Sequence, residues 1–109
     1  MIESIVGSVS CERVLVFIAA RDEGYAREIA SFFKTALAPI QKQLDKLEAG
    51  AVLVSRNVGQ TRLYVLNPRF PFLAELVALL VKVIRFYDQE MQDALLLNRR
   101  RHRRRRKPL

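Results

Sequence analysis

The stretch LAPIQKQLDKLEAGAVLVSRNVGQTRLYVLN, residues 37 to 67, changes its apolar period partway along. In its first half Ile40, Leu44 and Leu47 recur three or four residues apart, the spacing of one helix face, with Gln41, Lys42, Asp45 and Lys46 largely on the other side. Gly50 closes that helix. Pro39 suits its first turn, where the missing N–H would have no partner anyway. Thr35 is the only residue nearby with a capping side chain; Ala36 and Leu37 would cap poorly. Beyond Gly50 the period falls to two. AVLVSRNV and TRLYVLN alternate apolar and polar on either side of a turn at Asn57 to Gln60, which predicts a two-stranded hairpin.

Working outward, SVSCERVLVFIAA at 8 to 20 has Val9, Val14, Leu15, Phe17 and Ile18 near helical spacing, with Gly24 placed to end that helix. YAREIASFF at 25 to 33 fits a second short helix, its Ala26, Ile29, Ala30 and Phe33 three or four apart. NPRFP is a proline-bounded connector, followed by one long helix from Phe72 to about Leu97. Leu73, Leu76, Leu80, Ile84, Tyr87, Met91 and Leu95 make one apolar stripe along it, and Phe72, Leu79, Val83 and Phe86 a second beside it. Two such faces on one helix of a small domain predict dimerisation, because an exposed patch of that kind is avoided by soluble monomers. The expected interface is Leu73, Leu76, Leu79, Leu80, Val83, Ile84, Phe86 and Tyr87. The fold class is mainly α with a two-stranded β-wing: a winged helix-turn-helix domain over residues 1 to 98 with a long C-terminal dimerisation helix.

The chain has 109 residues and a net charge of +8, from 19 Lys+Arg and 11 Asp+Glu. Arg99, Arg100, Arg101, Arg103, Arg104, Arg105, Arg106 and Lys107 supply that whole excess. With no apolar residue before Pro108 and Leu109, residues 99 to 109 are expected to be a disordered arm that binds nucleic acid without reading bases. The rest is neutral overall but uneven: residues 25 to 69 sum to +4, and the segments on either side to −2 each. The basic middle is the part that holds the helix-turn-helix pair and the hairpin.

A helix that enters a major groove must present short polar side chains on one face while the other anchors it. The third helix offers Ala38, Gln41, Lys42 and Gln43 as candidates for base contacts, since glutamine can pair with adenine and lysine can donate to guanine. Arg27 and Lys46 suit backbone phosphates, which fix register. Arg56, Asn57, Gln60 and Arg62 on the hairpin suit the adjacent minor groove or its phosphates.

These runs resemble the small ArsR-type winged-helix transcriptional regulators. The resemblance covers roughly residues 8 to 97. Its strongest piece is the spacing REIA…QKQLDKLEAG…LVSR…GQTRLYVLNP. It implies a homodimer with the first and last helices at the interface and paired third helices in successive major grooves. Five positions depart from the family pattern. Lys34, Thr35 and Ala36 replace the usual glycine and hydroxyl cap, Ala38 stands where a polar residue is common, and Gln60 where arginine is common.

Metal-sensing members use clustered ligands, and this chain has only Cys11 and His102, so no metal site and no cofactor are expected. One cysteine excludes an intrachain disulfide and fits a reducing, cytoplasmic setting. Glu75 and Lys82 interrupt the most apolar region, so no membrane span is expected. Without a second His or Cys, a phosphate loop or a compact carboxylate pair, no enzyme activity is expected. The reading is a DNA-binding repressor acting as a homodimer on double-stranded DNA, its effector unknown. The alternative is a winged-helix interaction module whose basic tail binds RNA or an acidic protein.

Overall fold

SVSCERVLVFIAAR is apolar on nearly every side, and a helix of that kind belongs in the middle of a domain. The computed structural model, which describes residues 1–96, puts it there. The expected Arg-rich arm lies outside the described residues. A short helix α1 (Glu3–Val6) precedes the central helix α2 (Val9–Arg21), from which Val14, Leu15, Val16, Phe17 and Ile18 are buried. Ser8 begins α2 by accepting the Cys11 N–H on its hydroxyl, 3.0 Å away. Burying each large side chain of this row stabilises the fold by about 1.5–3 kcal/mol.

The expected end of α2 at Gly24 is corrected. Asp22 takes the left-handed conformation (φ 74°) and its N–H reaches the Ile18 carbonyl. Gly24 instead opens a two-residue strand β1 (Gly24–Tyr25). A Cβ on Gly24 would lie 3.1 Å from the Phe17 ring carbons and 3.2 Å from Ile29 Cδ1, so glycine is needed here for close approach.

Helix α3 (Ala26–Phe33) follows, buried through Ile29 and Ala30. Glu28 accepts the Tyr25 N–H at 3.2 Å in its first turn. Lys34 closes α3 at φ 55°, and the Thr35 N–H returns to the Ala30 carbonyl at 3.0 Å. Lysine does here what glycine commonly does. Helix α4 (Leu37–Ala49) then starts from Ala36, which has no side chain with which to cap it.

The hairpin is present as β2 (Leu53–Val58) and β3 (Thr61–Leu66), antiparallel, with Val58 opposite Thr61. The turn is tighter than expected: Asn57 and Val58 belong to β2, and Gly59 (φ 63°) with Gln60 makes the whole connection. The two-stranded expectation is also corrected, since β1 pairs with β3 to give a three-stranded sheet in the order β1-β3-β2. Asn67 ties the sheet's base to the end of α4, its side-chain amide donating to the Ala51 carbonyl at 2.9 Å.

The single helix expected from Phe72 to Leu97 is two helices. Helix α5 (Leu73–Arg85) ends at Phe86, and a further helix α6 is described over 89–96. Asp88 is the reason. Its carboxylate accepts the Met91 N–H at 2.9 Å, which starts α6, and the Gln92 amide donates to the Tyr87 carbonyl at 2.9 Å and the Arg85 carbonyl at 3.3 Å. The stripe of Leu80, Ile84 and Leu95 still faces the core across the break, with Leu76, Tyr87 and Met91 packed at its edge. Leu80, Val83 and Ile84, expected at an interface between copies, are buried within this one chain, because α5 lays a broad face on α2. Leu73, Leu76, Leu79 and Tyr87 are half-buried. Only Phe86 of the eight is well exposed, at 68%, along with Phe72 at 64%.

Two charged residues of α2 are buried and anchor this second half. Glu12 accepts the Ile2 N–H at 2.7 Å and the Tyr87 hydroxyl. Burial works against its charge, but these hydrogen bonds and the N-terminal ammonium hold its carboxyl below the ordinary range. Burial and then Glu12 push the Tyr87 phenol well up. Arg21 lies against the rings of Phe17 (4.5 Å) and Phe32 (4.8 Å) and donates to the Ala94 carbonyl of α6 at 3.1 Å. Burial likewise raises the Cys11 thiol, as expected of a small buried hydrophobe.

Candidate nucleic-acid interface

Ile40 and Leu44 are fully buried and hold α4 against α2 and α3. That anchoring decides which residues face out. Ala38, Lys42, Asp45 and Ala49 are all exposed, and their spacing puts them in one stripe along the opposite side of the helix. Gln41 and Glu48 stand on the flank toward the sheet; Gln43 and Lys46 stand on the other flank, Gln43 half-buried and Lys46 exposed.

Across from the Gln41 flank is the wing. Residues 56–62 are exposed without interruption, so the hairpin's outer half has no core beneath it and projects from the domain. Arg56, Asn57, Gln60 and Arg62 all fall in this part, with Asn57 directly opposite Arg62. Arg62 does not simply extend into solvent: its guanidinium donates to Ser55 Oγ at 2.9 Å, and Ser55 in turn donates to the Glu48 carboxylate on α4. Gln41 makes a second bridge, with its Nε2 2.9 Å from Asp45 Oδ1 and 3.2 Å from the hydroxyl of Tyr64 on β3. The helix and wing are thus joined by two polar links.

Between them runs a groove of about 420 Å³. Gln41, Asp45 and Glu48 of α4 line it on one side, Gln60, Thr61, Arg62 and Tyr64 of the hairpin on the other, and Tyr25 to Arg27 at the start of α3 also line it. The structure therefore brings Arg27, Gln41, Gln60 and Arg62 to one site and puts Ala38 and Lys42 on the exposed stripe beside it. Gln43 and Lys46 lie on the far flank, away from the groove, and Arg56 and Asn57 reach the same hairpin without lining it.

Tyr64, Ser55, Glu48 and the polar role of Asp45 were not among the residues singled out from sequence. The four-residue step from Gln41 to Asp45 is a familiar helical pairing and was available as a signal. Tyr64 and Ser55 meet α4 only through the β2–β3 register, which pairs Ser55 with Tyr64.

The site carries both signs of charge. Arg27, Lys42, Arg56 and Arg62 attract an anionic backbone, while Asp45 and Glu48 oppose it. Their hydrogen bonds, from the neutral Gln41 amide and the Ser55 hydroxyl, fix where these carboxylates sit and leave their charge in place. Among the described residues no group of His, Cys, Asp and Glu could hold a metal ion, and no helix is long and apolar enough to cross a membrane.

No protein-family model matches the chain, and no curated protein matches it. Among solved structures it is similar to a mutant of Lactococcus lactis ZitR, with a TM-score of 0.51 and 19% sequence identity, over 87% of this chain and 73% of that one. Mainly helical, with a small antiparallel sheet whose last two strands form the wing, this chain has a winged-helix fold.

Proposed function

We propose that this chain is a sequence-specific DNA-binding regulator of transcription. In this reading α4 enters the major groove and presents Ala38, Gln41 and Lys42 to base edges, while the wing lies along the adjacent minor groove and its phosphates. Arg27, Arg56 and Arg62 hold the backbone, which sets register without reading sequence. The observation that carries the reading is the pairing of an anchored helix, exposed along a stripe of short polar and small side chains, with a projecting basic hairpin across an open groove.

The regulator acts as a homodimer and represses by occluding a promoter. Phe72 and Phe86, both well exposed at the two ends of α5, support pairing through that helix, and the mass in solution tests it. A twofold dimer would place its half-sites about one helical turn apart or a multiple of it.

A second reading, a winged-helix module that binds RNA or an acidic protein through its basic tail, is favoured by one observation. Asp45 and Glu48 put two carboxylates on the helix that would approach DNA. A gel shift with full-length protein separates the two. Preference for duplex from upstream of its own gene over a scrambled duplex of equal composition supports the regulator. Equal binding to both, with single-stranded RNA displacing either, supports the module.

A further inference from the structure

Gln41 is the residue for which sequence reasoning and geometry differ most in consequence. A free glutamine amide reads adenine with two hydrogen bonds, accepting from N6 and donating to N7. Gln41 is not free. Asp45 Oδ1 lies 2.9 Å from one end of its amide and the Tyr64 hydroxyl 3.2 Å from the same end. An ionised carboxylate only accepts, so the end facing Asp45 must be the nitrogen. The amide orientation is thereby fixed by chemistry. Both N–H groups are then engaged, one by Asp45 and one by Tyr64. Among the described residues Oε1 is left as the amide's uncommitted polar atom. The clamp is anchored on both sides: Tyr64 is 2% exposed in the middle strand of the sheet, and Asp45 sits one turn along α4.

The geometry points to Asp45 and Tyr64 as specificity-determining positioning residues that turn Gln41 into a pure acceptor. This inference rests on the DNA-reading function proposed above. In the major groove an acceptor alone pairs with an exocyclic amine, which adenine offers at N6 and cytosine at N4, and finds no donor on the major-groove edge of guanine or thymine. The clamped Gln41 therefore reads amino against keto bases at one position of each half-site, with little distinction between adenine and cytosine. Releasing the clamp restores the donor and narrows the choice to adenine.

The test is selection from a random-core duplex pool by the full chain and by its Asp45→Ala, Tyr64→Phe and Gln41→Ala variants. The wild type is expected to enrich one position for adenine and cytosine together, within about 3-fold of each other, a difference that corresponds to less than one good base contact. Asp45→Ala and, independently, Tyr64→Phe should shift that position to adenine over cytosine by about 5-fold or more, and Gln41→Ala should erase the preference there. Asp45 is exposed and Tyr64→Phe keeps the ring, so both variants retain the fold's packing. A wild type that selects adenine alone, or clamp variants whose preference matches the wild type, would overturn the inference while leaving DNA reading intact. A wild type that enriches no sequence would overturn both.

Discussion

Replacing Tyr87 with phenylalanine removes a single oxygen, yet it should be among the costlier conservative changes in the molecule. That oxygen donates to Glu12, a carboxylate 4% exposed on the central helix, whose other partners include the Ile2 N–H at 2.7 Å. A hydrogen bond to a charged group contributes about 1.5–3 kcal/mol, and the loss is felt in full where the acceptor stays buried. For a domain of this size that corresponds to a fall in Tm of roughly 7–15 °C. The pH dependence carries the sign. The folded carboxyl titrates below its ordinary range, so the charged form stabilises the fold above the unfolded value of about 4.3, and that contribution disappears as pH falls through the lower folded value. Tyr87→Phe should therefore cost its full amount at pH 7 and only about 1 kcal/mol, a neutral hydrogen bond's worth, once Glu12 is protonated at acid pH. Urea unfolding of both proteins at a series of pH values falling from 7 reads this directly: the loss should hold steady above about pH 5 and shrink as the pH falls and Glu12 becomes protonated. A loss that grows as the pH falls, or no loss at pH 7, would show that the Tyr87 hydroxyl does not stabilise a charged Glu12.

Two further expectations probe other parts of the molecule. Gly24→Ala forces a methyl to within 3.1 Å of the Phe17 ring and should destabilise by about 1–3 kcal/mol in thermal or urea unfolding, through overpacking at the start of β1. Arg27→Ala should flatten the slope of log affinity against log salt by about 0.9 while the preferred sequence stays the same; a changed preference would mean that Arg27 reads bases.

The core of the fold was legible because residues 37 to 67 change period once, from helix to strand, and both periods are anchored by large apolar residues. Helix α3 and the turn to α4 followed from the same spacing. The errors lie where a short polar feature competes with a strong apolar stripe. Ile84, Tyr87, Met91 and Leu95 keep helical spacing straight through the break between α5 and α6, so the stripe masks it. The signal was Asp88 three residues before Met91, an N-cap inside an apparently continuous helix. Strand β1 had no signal of its own: two residues become a strand only because Leu63 and Tyr64 lie beside them. The candidate site divides in the same way. Ala38 and Lys42 face out, as helical geometry requires once Ile40 and Leu44 are inside. The clamp on Gln41 depends on Tyr64, twenty-three residues away on another element, and spacing along α4 says nothing about it. The interface residues divide too, since burial of Leu80, Val83 and Ile84 follows from the breadth of the α2–α5 contact, which the stripe pattern underestimates.

If α4 reads sequence, the ratio of affinities for two duplexes shows it. Full-length wild type and a Gln41→Ala, Lys42→Ala double variant are titrated, at one fixed salt concentration, against the best duplex from the random pool and against a scrambled duplex. Loss of good base contacts should lower affinity for the selected duplex by about 10- to 100-fold while binding to the scrambled duplex falls far less, in line with a removed lysine charge. An equal loss on both duplexes would leave α4 with a phosphate-binding role and no part in reading bases.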